Sequence, residues 1–282
     1  MKKYLFLLTA GLLTFASCGD DDSKPVVAKL DKLTRVTCYW NESATPLYSV
    51  EINYKDDGEI ANMQVDNEEK QQFIYVGNTL TVSNSGPESV EYTLSGHAIT
   101  KEKVSKENTY AHNEIYISDE YSYKYQGANL YTADWTTRWP KTDGSGYETR
   151  TYTGVNAVTY TWENGNVIRL TQDKKEMVYE YTSQVRPQNF PLRVVDSFAP
   201  TGFEAFTPVN LLYGNQNQNL PKRAYWYVVP ETSVVYGEYE YTYDTIIGDY
   251  VTAMTIQETN YTASGEVRNT YTYKFEYNYK VK

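Results

Sequence analysis

In the closing segment YTYKFEYNYKVK, Tyr271, Tyr273, Phe275, Tyr277, Tyr279 and Val281 take one set of alternate positions. Thr272, Lys274, Glu276, Asn278, Lys280 and Lys282 take the other. Successive strand side chains point to opposite faces, so this period of two predicts a strand with one covered and one wet face. At about 3.3 Å per residue it spans roughly 40 Å. The same alternation recurs in EYSYKYQ (120–126), VTYTWE (158–163), MVYEYT (177–182) and YEYTYD (239–244). Turn signals separate the strands: Asp56-Asp57-Gly58, Val76-Gly77-Asn78, Ser95-Gly96-His97, Glu163-Asn164-Gly165-Asn166 and Ala263-Ser264-Gly265. Asn-Gly and Asp-Gly between alternating strands favour hairpins, because the primed turns need positive φ. Gly58, Gly77 and Gly96 fall 19 residues apart, one hairpin per interval, and the spacing then lengthens. No segment sustains a 3.6-residue period. The expected fold is all-β, a large antiparallel meander forming a curved sheet or half-barrel, with a β-sandwich as the alternative.

Two stretches interrupt the meander. NLYTADWTTRWPKTDGSGYETR (129–150) is turn-rich and predicts a loop carrying Trp135 and Trp139. Residues 186–223 hold five of the ten prolines and read as a long crossover within one domain. Inside it, Thr207-Pro208 followed by VNLLYG has an N-cap, a proline at the first helical position and a terminating Gly214, which predicts one short helix. A spanning outer-membrane barrel also alternates, but it needs aliphatic residues at mid-depth on its lipid face, with aromatics kept to two girdles. Here tyrosine follows tyrosine along a single face, which argues against a span.

Composition changes this picture at one residue type. Tyrosine accounts for 30 of 282 residues, against 8 phenylalanines and 5 tryptophans. It suits strands and offers an apolar ring with a polar tip. That tyrosine face has two readings, a packed interior or the wall of a groove for an amphipathic ligand. The chain opens with Lys2 and Lys3, then an apolar run from Tyr4 to Ala16, a secretory leader too short to remain as a span. Phe15-Ala16-Ser17-Cys18 resembles a bacterial lipobox, with Phe15 where leucine is usual. It predicts cleavage before Cys18 and acylation of its sulfur. Two or more acyl chains hold firmly, at about 0.8 kcal/mol per buried methylene. Asp20, Asp21 and Asp22 then form an acidic run that resembles the surface-export signal of Bacteroidetes lipoproteins. The expected organisation is a leader (1–17), an acylated acidic tether (18–29) and one domain (30–282), lipid-anchored in the outer membrane and facing the cell exterior.

Loss of the leader takes the formal charge from −10 to −12, which argues against nucleic acid as a partner. With Cys18 acylated, Cys38 has no disulfide partner and reads as a buried, inert thiol. His97 and His112 are the only histidines, so a His-rich metal site is excluded. No phosphate-binding glycine loop, zinc spacing or cofactor motif is present. The acidic residues show no hydrolase constellation, and the expected function is non-catalytic.

The leader, the YxYx…G hairpins, LLYGNQNQNLPK (211–222) and the closing tyrosine-rich strands resemble an uncharacterised, domain-of-unknown-function family of Bacteroidetes outer-membrane lipoproteins. The likeness covers most of residues 30–282. It implies a large curved antiparallel sheet and brings no catalytic residue.

One cluster suggests chemistry. Tyr131, Trp135, Trp139 and Tyr147 interleave with Asp134, Arg138 and Asp143. Sugar rings stack their C–H faces on flat aromatics while carboxylate and guanidinium groups bind hydroxyls. The set Tyr131, Asp134, Trp135, Arg138, Trp139 and Tyr147 is therefore a candidate glycan site. The competing reading makes both tryptophans core residues, since tryptophan is usually largely buried. The expected partners are a membrane through the acyl anchor and a polysaccharide. The alternatives are a hydrophobic ligand or an outer-membrane protein complex.

Overall fold

The computed structural model describes residues 32–280, apart from 67, 69, 97, 109, 111–113, 188–189, 193–207, 230–233 and 248–249. The leader, Cys18, Asp20, Asp21, Asp22, His97, His112 and the predicted N-cap Thr207 lie outside the described residues. The strands are β1 (Lys32–Trp40), β2 (Pro46–Tyr54), β3 (Ile60–Val65), β4 (Gln71–Val76), β5 (Thr79–Ser83) and β6 (Ser89–Ser95). Then come β7 (Ala98–Glu107), β8 (Ile115–Gln126), β9 (Asn129–Pro140), β10 (Tyr147–Tyr152), β11 (Val158–Glu163) and β12 (Asn166–Gln172). The last are β13 (Lys175–Val185), β14 (Asn219–Val228), β15 (Val235–Ile247), β16 (Tyr250–Tyr261) and β17 (Val267–Lys280).

Each strand pairs antiparallel with the next along the wall, and β1 pairs with both β2 and β17. The sheet therefore closes on itself. β10 and β11 share one side of β9: Tyr147–Tyr152 pair with Pro140–Trp135, and Val158 and Thr159 pair with Ala133 and Thr132. Together they act as one wall strand interrupted at residues 153–157, which makes the 17 strands a 16-position barrel. The half-barrel and the sandwich are both corrected by this closure. Alternation along each strand was legible, but only the β1–β17 register reveals that the two edges meet.

The sidedness follows the tyrosine alternation. In β17, Phe275 and Tyr277 are buried and face inward with Tyr273 and Tyr279, while Lys274 and Glu276 face out. Val36, Cys38, Val50, Ile52, Phe73, Leu80, Tyr160, Met177, Tyr239 and Ile256 join them in one continuous core. Outside run cross-strand ion pairs such as Lys124–Asp134 at 2.6 Å and Arg169–Glu176 at 3.2 Å.

Tyrosine serves here in place of phenylalanine for a repeated reason. Where a strand carries a β-bulge near one of its ends, the displaced carbonyl is capped by an aromatic side chain from the next strand of the wall. Tyr54 Oη donates to Leu33 O (2.9 Å), Tyr125 Oη to Ile99 O (2.6 Å) and Trp162 Nε1 to Leu130 O (2.7 Å). Tyr181 Oη donates to Val167 O (2.6 Å), Tyr243 Oη to Pro221 O (2.9 Å) and Tyr279 Oη to Val251 O (3.0 Å). Each accepting residue sits at a register shift. Bulges bend and twist the sheet toward closure, and the phenols satisfy the carbonyls that they free.

A barrel of sixteen strands is wide enough to leave an aqueous channel. Here the crossover between β13 and β14 occupies part of that space. Phe190 and Leu192 are buried, and Phe190 meets Tyr243 and Tyr277 edge-on at 6.4 and 5.4 Å. Arg186, 7% exposed, donates to the carbonyls of Phe190 and Leu192 and to Gln216 Oε1 (2.9 Å). Burial draws its guanidinium down to about 10, which leaves it charged at neutral pH. The predicted short helix is corrected: Pro208–Leu212 forms a 3₁₀ turn, and no α-helix exists among the described residues. Gly214 ends it at φ 74°, pressed so closely on the β8–β9 turn that a Cβ would sit 2.5 Å from Ala128 O.

Candidate ligand-binding site

Val209 and Asn210 of the crossover form the floor of a chamber of about 360 Å³. Met63, Phe73, Val82, Val90, Tyr92 and Val104 give it apolar walls, and Asn84, Glu88 and Lys106 stand toward the rim away from the crossover. The arrangement follows from the local sequence. Strands β3 to β6 are five to seven residues long, and their inward side chains thin out at that rim. Asn210 is itself fixed by donating to Pro191 O at 3.1 Å. An apolar pocket with a few placed polar groups is the usual form of a small-molecule site.

Glu102, on β7, faces this chamber as well. Its Oε2 accepts hydrogen bonds from Tyr123 Oη of β8 and Tyr213 Oη of the crossover, each at 2.7 Å. Crossover and wall are thus tied together at one carboxylate.

From Tyr123 an aromatic ladder climbs the inward face of β8, β9 and β10. Tyr123, Tyr121, Trp135 and Tyr152 stack in order at 5.9, 5.6 and 4.9 Å, with interplanar angles of 8, 4 and 16°. Trp135 Nε1 donates to Asp119 Oδ1 at 3.1 Å. β10 has no wall partner beyond it among the described residues, so β8, β9 and β10 rise as a lip above the shorter strands.

The expected loop at 129–150 is corrected to this β9–β10 hairpin, whose turn occupies residues 141–146. Strand geometry divides the predicted glycan residues. Trp135 and Trp139 share the inward face. Both faces of Trp135 are covered by tyrosine rings, and the Arg150 guanidinium lies 5.4 Å from the Trp139 ring centre. Asp134 and Arg138 point outward, to Lys124 at 2.6 Å and Glu120 at 3.9 Å. Tyr131 is 52% exposed at the β9 bulge. Tyr147 packs on Tyr116 at 4.9 Å and accepts from Asn108 at 3.1 Å. The six residues do not converge. Glu102, Tyr152 and the Phe73 wall were missed, because each lies in a strand that looks like any other here; only the charge at an inward position of β7 distinguishes Glu102.

The family model described as "Domain of unknown function (DUF5032)" matches residues 19–282. The chain belongs to this family. No curated protein matches it in sequence. Among solved structures, the DUF5032 chain is similar to a porin-like protein from Bacteroides uniformis, with 13% identity and a TM-score of 0.60. That match covers 88% of this chain and 97% of the other. A porin-like protein from Bacteroides vulgatus matches with 14% identity and a TM-score of 0.52, covering 88% and 98%. At such identities the likeness concerns the barrel fold alone.

Proposed function

We propose that this DUF5032 protein is a non-catalytic binding module. It is held at the outer membrane by acyl chains on Cys18 and stands in water outside the bilayer, where it takes a small amphipathic ligand into its lumenal chamber. The observation that carries this reading is sidedness. The buried apolar core lies inside the barrel, and ion pairs such as Lys124–Asp134, Arg169–Glu176 and Lys274–Glu276 lie on its outer face, where a lipid-facing wall requires aliphatic side chains. The described residues of the crossover, among them Phe190, Leu192, Val209 and Asn210, occupy part of the lumen, and Val209 and Asn210 bound the chamber. The porin-like neighbours support an outer-membrane association for the fold family. The acidic run Asp20–Asp22 supports display on the exterior.

The test uses residues 24–282, which contain every strand of the barrel. They should purify as a monodisperse protein without detergent and bind a fluorescent hydrophobic probe saturably at one site. Val104→Trp, which fills the chamber, should abolish binding while the circular dichroism is kept. Dependence on detergent for solubility would refute the aqueous barrel, and unchanged binding by the filled variant would refute the chamber.

A glycan is the second reading, and one observation favours it. Tyr152 ends the aromatic ladder on β10, which pairs with β9 alone among the described residues, so the ring face away from Trp135 has no stacking ring beyond it among them. Retardation of the protein in gels containing polysaccharide, lost on Tyr152→Ala, would establish it.

A further inference from the structure

We infer that the chamber is selective for an organic cation, an ammonium group carried on a compact apolar body, with Glu102 as its counter-ion. The inference rests on the chamber reading above. Three charged side chains line the cavity, Glu88, Glu102 and Lys106. Glu88 and Lys106 are exposed near the rim and of opposite sign. Glu102 lies deeper, in the part of β7 that pairs with Tyr92 and Tyr121, beside the crossover floor. It takes part in no ion pair among the described residues. Its two hydrogen bonds both come from neutral phenols and both go to Oε2. They fix the carboxylate in place and leave its negative charge without a cationic partner.

A half-buried carboxylate set among apolar walls favours a ligand that supplies the missing positive charge, and a charge-assisted hydrogen bond is about twice as strong as a neutral one. Phe73 and Tyr92 line the same space and offer aromatic faces, which attract cations and also accept an apolar body. A carboxylate ligand would meet repulsion from Glu102. A neutral one would gain the walls but leave the charge unmatched. The acidic chain as a whole, at a formal −10, raises the local concentration of cations in the same direction.

Benzylammonium, benzyl alcohol and benzoate share one apolar body and differ in charge, so they separate the two claims in calorimetric titrations of residues 24–282. Benzylammonium should bind at least tenfold more tightly than benzyl alcohol, and benzoate more weakly still. Glu102→Gln keeps an oxygen for Tyr123 and Tyr213 and should fold. It should bring benzylammonium down to the affinity of benzyl alcohol and leave the alcohol unchanged. Equal affinities for cation and alcohol in the wild type would overturn the cation preference and leave the chamber standing. Cation binding unaffected by Glu102→Gln but lost in Val104→Trp would overturn the role of Glu102. No binding of any of the three would overturn both.

Discussion

The buried phenols make the barrel sensitive to alkali, and the size of the effect follows from linkage. Burial raises Tyr54, Tyr75, Tyr181, Tyr239, Tyr241, Tyr243, Tyr277 and Tyr279 above the ordinary phenol range, with Tyr75 pushed up to about 12. In the unfolded chain the same groups ionise near pH 10. A group whose folded value is raised contributes stability that is fully present below its unfolded value. That stability is lost as pH rises toward the folded value, because only the unfolded chain gives up the proton in that window. By pH 11 each such tyrosine costs the native state about 1.4 kcal/mol. Eight of them remove roughly 11 kcal/mol, comparable to the whole stability of about 5–15 kcal/mol expected for a domain. The barrel should therefore unfold cooperatively between pH 10 and about 11.5. Tyrosinate absorbance at 295 nm and far-ultraviolet circular dichroism, followed on one sample through alkaline pH, should show exposed phenols titrating first. The buried ones should then ionise together as the strand signal is lost. A smooth titration of all the tyrosines near pH 10 with the strand signal intact would refute the reasoning.

Three further outcomes test the packing. Gly214→Ala places a methyl group against Ala128 O and the Tyr125 ring at a backbone φ of 74°, and should cost about 1–3 kcal/mol in chemical denaturation. A variant as stable as the parent would contradict the docking of the crossover. Arg186→Ala strips a donor from Phe190 O, Leu192 O and Gln216, and should cost about 2–4 kcal/mol. It should also speed proteolysis within residues 187–218, whereas cleavage at the parental rate would separate the crossover from Arg186. The Cys38 thiol is fully buried and pushed up to about 12 by that burial, so a thiol reagent should modify it only in denaturant. Rapid labelling of the native protein at pH 8 would place Cys38 outside the core.

What was legible in the sequence was local. The period-two tyrosines located β17, and VTYTWE matches β11 residue for residue. Gly58, Gly77 and Gly96 do carry positive φ at hairpin turns. Closure was not legible, because Leu33 pairs with Tyr279 across almost the whole chain and no short-range pattern records such a contact. The lip was mistaken for a loop because Asp134, Arg138 and Thr136 give β9 a polar outer face, and Trp135 and Trp139 stood out as if exposed. The Thr-Pro signal at 207–208 fits a helix start. The chain turns back after five residues, because Tyr213 must reach Glu102 and Gly214 must clear Ala128.

The likeness to porin-like barrels and the inward-facing aromatic residues are compatible, because closure and sidedness are set by different features. Closure depends on strand number, stagger and bulges, and these are indifferent to which face is apolar. Sidedness depends on the parity of the side chains. A shift of one residue along every strand of this barrel would turn Tyr273, Phe275, Tyr277 and Tyr279 outward and bring Lys274 and Glu276 into the lumen. The phenol caps fix the parity. Tyr54, Tyr125, Tyr181, Tyr243 and Tyr279 reach bulge carbonyls only from the inward face, so reversing the faces would leave those carbonyls without their donors. Lumenal tyrosine is thus the feature that ties the inward face of this wide barrel to its bulges.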